Sequence, residues 1–151
     1  MLAAIRPDDV NLALLVHVLG AMVLVGALVT ASTAAVVGWR DETAVLRRLS
    51  YKTLLFVGLP SWIVMRIGAQ WVYAEENLDE LAEDPAWLVV GFITAELGGL
   101  LLLIALILGG IGLRQSRSGG GGGLLKASSV IATVLLAAYV IAVWAMGAKP
   151  T

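Results

Sequence analysis

The chain has 151 residues, of which 60% are hydrophobic and 14% charged, and its mean hydropathy is +0.93. This composition is too apolar for a water-soluble domain, so we expect an integral membrane protein. The absence of cysteine excludes disulfides, iron–sulfur clusters and thiolate metal sites, and the single histidine cannot by itself form a zinc or copper centre. We expect no nucleic-acid partner, and the net charge of −1 matters less than the distribution of charge along the chain.

Four apolar stretches are long enough to cross a bilayer, whose hydrocarbon core of about 30 Å requires roughly 20 helical residues. They are residues 10–37, 51–73, 86–113 and 124–148. Because these spans use most of the chain, we predict one transmembrane domain over residues 1–151, an all-α integral membrane, up-down four-helix bundle. Asp8 and Asp9 stand where a signal peptide would be positively charged, so we expect the first span to be retained.

The basic residues of the connections predict the topology. The loops 38–52 and 114–126 contain Arg40, Arg47, Arg48, Lys52, Arg114, Arg117 and Lys126. The termini contribute only Arg6 and Lys149, and the middle connection "AEENLDELAEDPA" has no Lys or Arg. The positive-inside rule therefore predicts that both basic loops face the cytoplasm and that both termini and the acidic connection face outward. We expect a multi-pass protein of a prokaryotic plasma membrane.

Two local features predict backbone behaviour. "GGGGG", residues 119–123, indicates a flexible connector, and it lacks the following Lys-Ser or Lys-Thr of a phosphate-binding P-loop. Pro60 should kink the second span and free a carbonyl near Phe56. Small residues such as Ala27, Ala31 and the glycines of the third span predict close approach of the helices.

Three ionisable residues, His17, Arg66 and Glu96, interrupt the first three spans. At about 1.5 Å of rise per residue, they lie roughly 8, 10 and 13 Å below the predicted outer end, so an antiparallel bundle places them in one layer. On the second span, Trp62 and Gln70 share a helix face with Arg66. Tyr139 of the fourth span falls at a similar depth, at roughly 12 Å.

This polar layer has two interpretations. It is either a buried Arg66–Glu96 ion pair, capped by His17 and Tyr139, that fastens the helices together, or an outward-facing pocket for a small ligand. In the pocket, Arg66 would supply a fixed positive charge for a haem or quinone group. His17 is a possible ligand of haem b iron, because the small residues Ala13, Gly20 and Ala21 beside it leave space for a flat macrocycle.

The first span resembles the opening helix of a loose group of bacterial membrane proteins. The resemblance is carried by His17, Gly20 and Gly26 and covers about 20 residues of "LLVHVLGAMVLVGALVTAS". The group includes copper-resistance protein D-like proteins, HemJ-type protoporphyrinogen oxidases and uncharacterised four-helix families. The HemJ type implies haem bound through His17 and oxidase activity, but the lysine expected on a later helix has no counterpart in the interior of these spans. Copper-resistance protein D implies metal uptake, but the methionines are scattered, so the uncharacterised members fit best.

These observations favour a non-enzymatic, four-span protein that binds a small ligand, haem or quinone, or that serves as an accessory subunit of a larger membrane complex. One alternative is a small proton-coupled transporter acting as a homo-oligomer, with Glu96 as its gate. The other is a haem-dependent membrane oxidase of tetrapyrroles that uses His17.

Overall fold

Four long helical rods make up the part of the chain that the structure describes. The computed structural model describes residues 8–77 and 85–148, with side chains from residue 12 onward. The elements in chain order are α1 (Asp8–Arg40), α2 (Ala44–Thr53), a π-helical turn (Leu54–Gly58), α3 (Leu59–Glu75), α4 (Ala86–Gln115), a 3-10 turn (Ser116–Ser118) and α5 (Gly122–Ala148). The helices α2 and α3 run through the π-helical turn without a break, so they form one rod.

The four predicted spans are confirmed as helices that are long and apolar enough to cross a membrane. Each helix extends past the predicted apolar stretch, because helical hydrogen bonding continues into the polar ends. The predicted loops were too long for the same reason. Residues 44–52 of the first loop are helical, and in the second only residues 116–121 lie outside α4 and α5.

The Pro60 region departs from a regular α-helix. Pro60 stands in the first turn of α3, directly after the π-helical turn. Within that turn, the Leu59 N–H donates to the Leu54 carbonyl. The Ser61 hydroxyl donates to the Gly58 carbonyl at 3.0 Å and to the Val57 carbonyl. The expected break therefore takes the form of a widened turn supported by a neighbouring hydroxyl.

Helix α1 lies between helix α5 and the rod formed by α2 and α3. It contacts α2, α3 and α5 along its length, and α4 packs mainly on α5, whereas α3 and α4 touch only slightly. The largest fully buried side chains are Leu24, Leu28, Leu54, Leu102 and Leu135. Because the backbones of α3 and α4 make little contact, the bundle has a seam between them, and side chains such as Trp62 and Arg66 cross it.

Helices α1 and α3 cross through a reciprocal pair of glycines. A Cβ atom added to Gly20 would lie 2.5 Å from the Met65 backbone nitrogen, and one added to Gly68 would lie 2.5 Å from the His17 nitrogen. Gly20 thus accommodates the backbone of Met65, three residues before Gly68, and Gly68 accommodates the backbone of His17, three residues before Gly20. This contact fixes the positions of His17 and Met65 relative to each other.

The glycines of α4 receive large side chains from its neighbours. A Cβ atom at five of the six would collide with a neighbouring side chain, and one at Gly110 would lie 3.1 Å from the Tyr51 hydroxyl oxygen. The pairs are Gly91 with Met146, Gly98 with Tyr139, Gly99 with Trp62 and Gly109 with Tyr51. The small residues predicted to allow close helix approach are therefore used here as sockets for methionine and aromatic side chains.

The glycine-rich connector forms a turn with contacts of its own, and its flexibility stays a prediction. Gly119 and Gly121 have φ angles of +85° and +81°, a left-handed conformation that glycine adopts without strain. Gly121 packs against the Gly112 backbone of α4, and its carbonyl accepts a 3.1 Å hydrogen bond from the Leu125 N–H. The turn therefore ends α4 and starts α5 within a few residues.

Candidate functional site

A cavity of about 340 Å³ lies at the end of the bundle where α1 and α4 begin and α3 and α5 end. All four rods line it, mostly with apolar side chains such as Leu14, Leu88 and Ala142. The polar and aromatic side chains of its wall are His17, Arg66, Tyr73, Glu76, Trp87, Phe92, Thr94 and Tyr139. Its volume lies at the lower end of the range for ligand sites, about 300–1,000 Å³, and an apolar wall with few polar groups is typical of them.

His17 is held in a defined orientation on this wall. Its Nδ1 lies 3.0 Å from the Met65 carbonyl oxygen of α3, and it donates its hydrogen to that oxygen. In a neutral ring this bond assigns the proton to Nδ1 and leaves a lone pair on Nε2, as in most metal-ligating histidines. Nε2 has no hydrogen-bond partner among the described residues. His17 therefore offers the cavity an oriented acceptor or ligand atom.

Arg66 connects the cavity to the seam between α3 and α4. Its guanidinium donates to the Glu96 carboxylate, which bridges the two helices. It also lies over the Phe92 ring, 5.6 Å from the centroid, in a cation–π contact. With its amide oxygen turned toward the guanidinium, Gln70 accepts a further bond at 2.8 Å. Arg66 is thus fixed by α4 and by its own helix.

The predicted burial of the ion pair was wrong. The side chain of Glu96 is 59% exposed, against 22% for Arg66, and Glu96 does not line the cavity. The backbones of α3 and α4 make little contact, and the carboxylate lies at the exposed edge between them. The pair therefore connects two helices whose backbones do not pack closely.

Tyr139 and Trp62 pack against the glycines of α4 next to the cavity. Tyr139 is buried, and its hydroxyl lies beside Trp62 and against Gly98. This hydroxyl makes no hydrogen bond of normal geometry with any described residue. Trp62 does not line the cavity, and its indole N–H donates to the Ala95 carbonyl at 3.1 Å. Both side chains thus fill glycine sockets of α4, and Tyr139 exposes ring atoms rather than its oxygen.

The structure therefore divides the predicted residues into three positions. His17, Arg66 and Tyr139 line the cavity, Glu96 and Gln70 hold Arg66 at its edge, and Trp62 packs beneath. Gly20 does not provide the expected space beside His17, because Met65 occupies it. Sequence reasoning missed the Met65 carbonyl and Phe92. The Phe92 contact had one signal, an aromatic residue one turn before Glu96.

No group of three or more metal-binding side chains that could hold an ion occurs among residues 12–77 and 85–148. A metal bound at the cavity through His17 would thus need a prosthetic group to supply its other ligands. Comparison with protein-family models, with curated proteins and with solved structures finds no significant match to this chain.

Proposed function

We propose that this protein is a non-enzymatic membrane protein whose cavity binds a small, mostly apolar ligand near the outer membrane surface. The observation that supports this most directly is His17, which the Met65 carbonyl orients on a mostly apolar wall that also carries Arg66, and whose Nε2 has no hydrogen-bond partner among the described side chains. An intramembrane histidine and arginine are costly, so their presence at one cavity favours a binding role.

Haem b is the first ligand that this arrangement suits. His17 would hold the iron through Nε2, and the Nδ1–H bond to Met65 is the outer-shell contact that ligating histidines usually make. Arg66 would stand near a propionate and exchange part of its contact with Glu96 for it. Bound haem supplies one-electron chemistry, while the residues described here bind and orient it.

A quinone is the second ligand with matching chemistry. A quinone carbonyl accepts hydrogen bonds, which Arg66 can donate, and a quinol hydroxyl can donate to Nε2 of His17. An isoprenoid tail would follow apolar wall residues such as Leu14 and Val143. Both ligands therefore use the same two side chains and differ in whether iron is present.

The test is the absorption spectrum, oxidised and dithionite-reduced, of protein purified in mild detergent from cells supplied with a haem precursor. Haem binding predicts a Soret band that shifts on reduction and is lost in His17→Ala. His17→Asn is the matched control, because its amide can still donate to the Met65 carbonyl but offers no Nε2 ligand. We expect His17→Asn to keep the unfolding temperature of the parent and to lose the band.

Quinone binding predicts no Soret band and the presence of a quinone in organic extracts of the purified protein. We expect Arg66→Gln to lower the amount of extracted quinone at least tenfold. If neither ligand is found after purification or binds when added, the small-ligand proposal is wrong. The accessory-subunit hypothesis would then be favoured.

The exposure of Glu96 favours one second candidate, a proton-coupled transporter that acts as a homo-oligomer. A carboxylate that is 59% exposed within a membrane span is costly in lipid and would gain from a neighbouring copy. Transport predicts a proton flux into liposomes that is lost in Glu96→Gln. Glu75→Gln, the same substitution near the end of α3, should leave the flux unchanged. A flux equal to that of empty liposomes would exclude this function.

A further inference from the structure

A second cavity, also of about 340 Å³, lies at the opposite end of the bundle. The end of α1, the start of α2 and the glycine-rich turn between α4 and α5 surround it. Its polar wall includes Trp39, Arg47, Arg48 and Ser116, and Gly119, Gly120 and Gly122 contribute backbone. This cavity is separate from the His17 cavity and shares no lining residue with it.

The charge of this cavity is positive and uncompensated. Neither Arg47 nor Arg48 makes an ion pair with any described residue. The carboxylates nearest in the chain, Asp41 and Glu42, are exposed and do not line the cavity. The Arg47 guanidinium is held over the Trp39 ring, 4.9 Å from its centroid, so it is positioned without being neutralised.

Other hydrogen-bond donors lie at the same cavity. The indole N–H of Trp39 is buried and has no partner among the described residues, although a buried donor is normally satisfied. Helix α5 begins at Gly122 on the cavity wall, so its first N–H groups lack intrahelical acceptors. The absence of a side chain at Gly122 leaves this backbone accessible. An acceptor that carries negative charge is the ligand chemistry that suits the two guanidinium groups and these N–H donors together.

We propose that this cavity binds the phosphate group of an anionic ligand, a phosphate monoester or diester. The two arginines would pair with phosphate oxygens, and Trp39 or the first turn of α5 would donate to them. The chemistry is the same for a lipid headgroup and for a free phosphate. The lipid is available at this height, since the cavity lies where the membrane helices end.

The experiment measures the unfolding temperature of the full chain in neutral detergent. The probes are sodium phosphate, with sodium chloride at equal ionic strength as reference, and short-chain phosphatidic acid, with short-chain phosphatidylcholine as reference. We expect a saturable rise in unfolding temperature with phosphatidic acid. A rise with inorganic phosphate as well assigns the site to phosphate itself, whereas a rise with the lipid alone assigns it to lipid headgroups.

The double variant Arg47→Gln/Arg48→Gln should weaken the apparent affinity by about tenfold or more. The matched control is Arg114→Gln/Arg117→Gln, which removes the same charge from the same end of the bundle but from residues that do not line the cavity. We expect the control to change the affinity by less than about twofold. If both double variants weaken the apparent affinity equally, the proposal is wrong. It is also wrong if phosphate and phosphatidic acid raise the unfolding temperature no more than sodium chloride and phosphatidylcholine do.

Discussion

Gly20→Val is expected to lower the free energy of unfolding by about 3 kcal/mol or more, because it forces α1 away from α3. A Cβ atom at this position would lie 2.5 Å from the Met65 nitrogen and 2.7 Å from its Cα, and neither backbone atom can move independently of α3. The shift would also break the hydrogen bond from His17 to the Met65 carbonyl. Ligand binding at the His17 cavity should therefore be lost together with stability.

Gly26→Val is the matched control for this substitution. Gly26 stands on the same helix, and a Cβ atom there has no neighbour within 4 Å. The control thus carries the same change in helix propensity without the collision. Detergent unfolding monitored by circular dichroism measures both variants. Equal losses of stability in the two variants would show that the α1–α3 crossing does not depend on the close approach at Gly20.

The architecture was predictable because length and hydropathy act over whole segments. A run of about 20 apolar residues is compatible with few structures other than a membrane helix. The buried stripe of α5, from Ser128 through Leu135 to Ala142, likewise follows from helical periodicity. The helix ends were less predictable, since polar residues such as Arg114 continue a helix beyond the apolar run.

The heights of the candidate site residues along the bundle were predictable, but the rotation of their helices about the helix axes was not. Counting residues places His17, Arg66 and Glu96 at similar heights, and the structure brings Arg66 to Glu96 and places His17 on the same cavity as Arg66. The burial of Glu96 depends on how closely α3 and α4 approach each other, which is set by packing across the whole bundle. The role of Gly20 depends in the same way on which residue of α3 stands opposite.

The composition of a turn does not identify the tertiary contacts that it makes. A run of five glycines has the composition of a flexible linker. In the fold, Gly121 contacts the Gly112 carbonyl, and the Gly121 carbonyl accepts a bond from the Leu125 N–H. Neither partner can be identified from the run itself, because both belong to the helices that the turn connects.

Arg66→Gln is expected to destabilise the protein more than the double variant Arg66→Gln/Glu96→Gln. The single substitution removes the cation that bridges α3 to α4 and leaves the Glu96 carboxylate at a membrane-facing edge. An unpaired charge within a span costs about 2.5–3.5 kcal/mol on insertion scales. The double variant removes that charge as well, and its two amides can hydrogen-bond across the seam. We therefore expect it to recover about half of the lost stability or more.

Gln70→Ala tests the remaining support of Arg66. It should lower the free energy of unfolding by about 1 kcal/mol or less, because Glu96 and Phe92 still hold the guanidinium.

A double-mutant cycle with Glu96→Gln, measured by unfolding in mixed detergent micelles, gives the coupling energy of Arg66 and Glu96. If the stability losses of Arg66→Gln and Glu96→Gln add to that of the double variant, the two side chains are not coupled. Packing alone would then hold α3 and α4 together at the seam, and Arg66 would be available to bind a ligand in the cavity.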